Sequence, residues 1–177
     1  MIKPDILGRQ VNSSYLGIGS NLGNKISNIK KAMDLLLTKN IHIEKLSSFY
    51  ETPSWPNNNF PKFINVVIKI QTNLSLIALF KILKKIEKSV GRKKSLRNYP
   101  RICDIDIIDF KGISSKFHYN KDIIETPHPR MTSRNFVIFP LFEVNNNWSH
   151  PRSKTSIYKI INKFKTSDFS DIRIVQN

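Results

Sequence analysis

Asp104 and Asp106 stand two residues apart in the run Arg-Ile-Cys-Asp-Ile-Asp-Ile-Ile-Asp at 101–109. On a strand, side chains two apart share a face, so the two carboxylates project together while Cys103, Ile105 and Ile107 fill the other side. Paired acids repel one another and resist burial; a divalent cation relieves both problems, and hard oxygen ligands suit Mg²⁺. A solvated strand edge would carry the same pair. Asp109 falls by parity on the opposite face and reads as a solvated strand end.

The residues upstream favour the metal. Lys81, Lys84, Lys85, Lys88, Arg92, Lys93, Lys94, Arg97 and Arg101 are nine cations against one acid, Glu87. A basic loop running into two carboxylates suits DNA poorly, because the acids repel phosphate. It suits a metal-bound nucleotide, in which the metal joins phosphate to Asp and Arg clamps the remaining oxygens. On this reading Arg92 and Arg101 contact phosphate, and the lysines of 81–88 form a solvated helix face. At 126–136, Thr-Pro-His-Pro-Arg-Met-Thr-Ser-Arg-Asn-Phe holds His128 between two prolines and ahead of Arg130 and Arg134. A restrained His before arginines at a helix start fits anion binding; a loop His with capping residues is the plainer alternative. Phe63 and Phe136 are core residues or the two sides of a sandwich around a flat ring. Gly17, Gly19 and Gly23 are spaced G-x-G-x-x-x-G, which is not the dinucleotide fingerprint, and no Walker lysine follows.

The elements that must hold these residues follow from periodicity. A short strand at 15–19 precedes a helix whose apolar stripe is Ile26, Ile29, Met33 and Leu36, with Asn24 or Ser27 as cap. Alternation at Ile41, Ile43 and Leu46 predicts a strand running on to Tyr50, and residues 51–61, with three prolines, form a loop. A strand at 63–70, a helix at 76–90 stopped by Gly91, a basic loop at 92–101 and a strand at 102–110 complete a βαββαβ order. That order predicts an α+β fold, a ferredoxin-like antiparallel sheet with helices packed on it. A C-terminal hairpin near 117–119 and helices near 133–144 and 155–163 follow. The expected organisation is an N-terminal extension at 1–13, a single domain at 14–165 and a tail at 166–177.

Composition bounds the rest. With 177 residues, 40% hydrophobic, and one cysteine, the chain predicts one globular domain with neither a disulfide framework nor a Cys-based zinc site. No apolar run approaches the roughly 20 residues of a membrane span, and the first residues lack a secretory core, so a cytoplasmic protein is expected. The net charge of +16 points to a polyanion, but 21 of the 29 cations are lysine, an excess that compositional drift alone also produces. An RNA-binding module on the same topology would need stacking aromatics where residues 102–110 carry acids.

Taken together, these motifs resemble the 6-hydroxymethyl-7,8-dihydropterin pyrophosphokinase family of folate biosynthesis. The likeness covers about three-quarters of the chain. It rests on Y-L-G-I-G-S-N-L-G at 15–23, S-S-F-Y-E-T-P at 47–53, F-I-N at 63–65, G-R at 91–92, P-R-I-C-D-I-D-I at 100–107, and P-H-P-R-M-T-S-R-N-F at 127–136 leading into P-L-F-E at 140–143. The resemblance implies transfer of pyrophosphate from ATP to the pterin's hydroxymethyl group, giving AMP. It implies two Mg²⁺ ions on Asp104 and Asp106, and phosphate contacts and catalytic roles at Arg92 and Arg101. It adds Glu87, Lys94, Ile107, His128 and Arg134 to the ATP site, and Thr52, Pro53, Phe63, Asn65 and Phe136 to the pterin site. The partners implied are ATP and a pterin, with no nucleic acid and no membrane, in a monomer or alternatively a dimer. The chain departs from the family at 97–101, where Arg-Asn-Tyr-Pro-Arg replaces Arg-Trp-Gly-Pro-Arg, and at Lys94, where many members have Arg.

Overall fold

The structure is a computed structural model and describes residues 13–55, 57–93, 95–96, 98–120 and 122–176. Most of the expected N-terminal extension therefore lies outside the described residues. The central strand β1 (Ser14–Ser20) is buried along nearly its whole length. Asn24 caps α1 (Lys25–Leu37) by accepting the Ser27 N–H, and the helix buries Ile29, Ala32 and Leu36. Ser75 caps α2 (Leu76–Val90) by accepting the Ala78 N–H, and Gly91 ends it at φ 124°, a conformation glycine adopts without strain. This helix spans the residues that its apolar periodicity predicts.

Strands β2 (His42–Leu46), β3 (Phe49–Thr52), β4 (Phe63–Gln71) and β5 (Asp104–Asp109) complete the first half of the sheet. The strand expected from 41 to 50 is divided. At the division Ser47 stays bonded to Val67 through N–H and Oγ, whereas the Ser48 N–H turns out of the sheet to the Glu143 carboxylate. The main sheet runs β5-β1-β4-β3, with β2 also on β4, and every pairing is antiparallel. Helices α1 and α2 cover one face through a core that includes Leu16, Ile18, Ile68, Leu79, Leu83 and Ile105.

The second half closes the other face. A hairpin of β6 (Ser115–Tyr119) and β7 (Asp122–Thr126) leads through a 3-10 turn (Met131–Ser133) into α3 (Asn135–Val144) and α4 (Ile157–Ile161). Val137, Ile138, Leu141, Trp148 and Ile157 pack there against Tyr15, Val67 and Ile108. Residues 166–177, read from sequence as a tail, contain α5 (Thr166–Ser170) and β8 (Arg173–Val175), and β8 extends the sheet by pairing with β3.

Asp109 corrects the sequence expectation of a solvated strand end. Tyr15 pairs with Asp109 but Leu16 with Ile107, so β5 carries an extra residue and its side-chain parity reverses at a bulge. Asp109 thereby joins the face covered by the C-terminal segment, where it is 2% exposed. The Trp148 indole N–H donates to its Oδ2 at 2.8 Å and the Gly112 N–H to its Oδ1 at 3.0 Å.

Candidate functional site

Register builds a groove on the sheet face opposite α1 and α2. Gly17 sits between Asp106 on β5 and Val67 on β4, and Gly19 between Asp104 and Asn65. The middle strand thus offers bare backbone, flanked by carboxylates on one side and an amide on the other. The glycine at 19 is required: a Cβ there would lie 2.8 Å from Asn65 Oδ1. Sequence reasoning tested these glycines only against a phosphate-loop pattern. Their role as a floor depends on cross-strand register, which local sequence does not display.

Asp104 anchors the cationic side. Its Oδ1 accepts from Arg92 Nη1 and its Oδ2 from Arg101 Nη1, both at 2.7 Å. Behind it, Glu87 is 2% exposed, and its Oε1 meets Lys84 Nζ at 2.8 Å, Arg92 Nη1 at 2.6 Å and the Ile105 N–H at 2.8 Å. Burial pushes the Glu87 carboxyl up, against the pull of Lys84 and Arg92. Burial also works against ionised Asp104, but there Arg101 and Arg92 outweigh it and hold the carboxyl below its usual range. The Nε of Arg101 is a buried donor with no hydrogen-bond partner among the described residues.

Asp106 is more open, with a side chain 39% exposed, and its basic neighbours are loosely placed: Arg134 Nη1 at 3.4 Å and the His128 imidazole Nε2 at 3.9 Å from Oδ2. His128 is fixed by its backbone, its N–H donating to the Ile108 carbonyl at 2.9 Å. Its Nδ1 accepts the Arg130 N–H at 3.2 Å, so the neutral ring carries its proton on Nε2, facing Asp106. Burial lowers the His128 pKa despite the opposing pull of Asp106, and Arg134 and Arg130 lower it further. The Arg134 guanidinium lies 5.4 Å from the Phe136 ring centroid.

Across the floor, the Asn65 amide N–H donates to Thr52 Oγ1 at 2.9 Å. Thr52 is buried, while Pro53, Phe63 and Phe136 are half-buried. Phe60 and Tyr99, one from each loop beside the groove, bring their ring centroids to 5.5 Å.

The structure thus gathers Arg92, Arg101, Asp104, Asp106, His128 and Arg134 at one side of the groove and Thr52 and Asn65 at the other. Glu87 stands behind the groove rather than in it, and the Ile107 side chain belongs to the core on the α1–α2 side. Lys94 lies outside the described residues. Glu143 is a positioning residue that sequence reasoning did not assign: its carboxylate accepts from the Ser48 N–H and Oγ–H and the Tyr50 hydroxyl, bracing β3 beneath Thr52. Its only signal is the pairing of two distant motifs, 47–53 and 140–143. No cluster of three or more His, Cys, Asp or Glu suited to a metal occurs among the described residues. Asp104 and Asp106 would hold an ion whose remaining ligands are phosphate oxygens and water, the way Mg²⁺ binds with nucleotides.

The chain resembles known proteins in sequence and in backbone fold. The sequence pattern of the 7,8-dihydro-6-hydroxymethylpterin-pyrophosphokinase family matches residues 15–146. A 2-amino-4-hydroxy-6-hydroxymethyldihydropteridine pyrophosphokinase from Aquifex aeolicus is 40% identical over 139 residues, 77% of this chain and 82% of that protein. A folic acid synthesis protein from Dictyostelium discoideum is 39% identical over 79% of this chain, but only 20% of its own length is spanned. The backbone superposes with a TM-score of 0.73 on a crystal structure of Plasmodium falciparum HPPK-DHPS with pterin and p-hydroxybenzoate, at 14% identity, covering 92% of this chain and 47% of that one.

Proposed function

The chain belongs to the 7,8-dihydro-6-hydroxymethylpterin-pyrophosphokinase family, and from that membership we propose how its residues divide the work. The reaction moves a pyrophosphoryl group from ATP to the hydroxymethyl oxygen of 6-hydroxymethyl-7,8-dihydropterin, with AMP as the second product, in folate biosynthesis. The observation that carries the assignment of roles is the pairing of Asp104 with Arg92 and Arg101 opposite Asn65 on a glycine floor.

Asp104 and Asp106 would hold Mg²⁺, two ions in our reading, and the metal would supply neutralisation of phosphate charge and orientation of the phosphoryl groups. Arg101 and Arg92 turn the donors not committed to Asp104 and Glu87 to phosphate oxygens. Arg134 and the Nε2–H of His128 serve the same polyphosphate from the far side of Asp106. Lys94 belongs to the same proposal. Glu87 acts on ATP through Arg92, fixing the guanidinium from behind. Ile107 acts through its backbone. The Ile105 N–H leaves the sheet for Glu87, so Ile107, two residues on, presents its main chain to the same free edge. Phe63 and Phe136 flank the pterin ring, while Asn65 and the Thr52–Pro53 main chain read its hydrogen-bonding edge. The chain supplies no covalent nucleophile; its residues align the attacking oxygen and stabilise developing charge.

We further read the strand order as the ferredoxin-like arrangement, residues 14–165 with the β8 strand that extends their sheet as the catalytic domain, and the protein as cytoplasmic. No helix among the described residues is long and apolar enough to cross a membrane. The direct test is AMP release from Mg-ATP and hydroxymethyl-dihydropterin. Formation of the pterin diphosphate with equimolar AMP is expected; no AMP from folded, Mg²⁺-supplied protein overturns the reading.

A further inference from the structure

We propose that Asn21 is a positioning residue, the shared anchor that fixes the stems of the loops 51–61 and 92–101 relative to each other. The inference rests on the groove assignment above. Asn21 follows the last residue of β1 and is 2% exposed. Its Nδ2 donates to Ser54 Oγ at 3.2 Å and to the Pro61 carbonyl at 3.1 Å, the two ends of one loop. The Ser54 hydroxyl also donates to the Pro61 carbonyl at 2.7 Å, closing a three-residue ring of bonds. On its other side, Asn21 Oδ1 accepts the Arg101 N–H at 2.6 Å, and the Asn21 main-chain N–H donates to the Arg101 carbonyl at 3.0 Å. One buried amide thus uses both its ends: the donor end staples the loop that leads into Phe63, and the acceptor end grips the peptide of Arg101.

The chemistry explains the residue type. Only a primary amide presents an acceptor and two donors from one planar group. Asp would place a second acceptor against the Pro61 carbonyl, and Leu, though of similar volume, would leave the Arg101 N–H and the Pro61 carbonyl short of a partner in a buried position. Arg101 extends from this anchored peptide to Asp104, so an error at Asn21 is carried to the guanidinium.

Three variants separate positioning from mere stability. Asn21→Ala removes both ends, and KM for ATP and for pterin should each rise about tenfold, with kcat reduced by a similar factor, at a temperature where melting curves show the variant folded. Asn21→Asp keeps the acceptor for Arg101, so it should raise KM for pterin while KM for ATP stays within about twofold of the parent. Ser54→Ala, a milder change, should shift the pterin constant alone. Hydrogen exchange gives a readout independent of turnover: Asn21→Ala should deprotect the Arg101 amide and the 51–61 stems together, Ser54→Ala the stems only. Unchanged kinetic constants and Arg101 protection in folded Asn21→Ala would overturn the proposal. Absence of AMP from the parent protein would instead overturn the functional reading, and the exchange pattern would still decide the anchor.

Discussion

Asp104 and Asp106 have the same residue type and share a face of β5 but have different surroundings, and they should fail differently. Asp106 has no bond shorter than 3.4 Å to Arg134, so Asp106→Ala should leave stability nearly unchanged. Its turnover should fall by at least about a thousandfold, the scale of losing a preorganised charge in the transition state. Asp104 ties down two arginines at 2.7 Å each, so Asp104→Ala should also lower unfolding free energy by roughly 2 kcal/mol. Urea melts beside AMP-release rates check both; equal stability losses would refute the division of roles. The acids themselves were legible, because a spacing of two on a strand is enough to place them together. Their partners were not. Arg92 is shared between Asp104 and a carboxylate from a helix; charge and periodicity show Glu87 only as one acid among lysines, and the family resemblance that adds it to the ATP site does not show that it holds Arg92.

At the scale of elements, strong local periodicity translated directly into structure, and interruptions of it did not. The stripe Ile77, Phe80, Leu83 and Ile86 with the stop at Gly91 predicts a helix over 76–90, and the structure has those bounds, but the first two turns bury Leu76 and Leu79 and leave Ile77 and Phe80 half-buried at the margin. The β5 bulge carries no such signature. An apolar run Ile-Asp-Ile-Ile reads equally well with or without an extra residue, and the choice is made by Trp148, 39 residues further on, which supplies an N–H to a buried carboxylate. Burial raises the Asp109 pKa above its unfolded value while the Trp148 bond pulls it down. A raised folded pKa means this carboxyl's contribution is fully present below about pH 4 and is lost as pH rises through the folded value. Trp148→Phe keeps the packed ring but removes the donor to the ionised form. Relative to the parent, the variant should be destabilised by about 1–2 kcal/mol at pH 7 and by much less at pH 4, measured by urea unfolding at both. An equal loss at the two pH values would place the effect in ring packing instead. The edge strand β8 was likewise invisible beforehand: three residues, two of them exposed, have no pattern until β3 offers an edge.

The molecule as a whole carries +16, and the structure distributes that charge in two ways. Arg92, Arg101 and Arg134 turn inward, 18–23% exposed, onto Asp104 and Asp106. Lysines such as Lys30, Lys31, Lys39, Lys81, Lys85 and Lys88 lie exposed on helix surfaces and at helix ends. In the role proposed for it, the inward set would meet a polyphosphate by contact, at ranges where salt screens little. The outward set acts only through the long-range field, which a Debye length of about 10 Å at 0.1 M salt confines to the surface. The two substrates differ in kind: ATP is a polyanion even with metal bound, and the pterin is neutral. A surface field therefore speeds encounter with one and ignores the other. Raising salt from about 50 to 500 mM should lower kcat/KM for Mg-ATP roughly threefold to tenfold and leave kcat/KM for the pterin within about twofold. Replacing Lys81, Lys85 and Lys88 together by Gln should flatten the ATP dependence without changing kcat, since none of them is placed in the groove. A salt effect of the same size on both substrates would mean that ions act on the groove itself. Persistence of the full ATP effect in the triple variant would mean that these three lysines contribute nothing to the field that ATP meets.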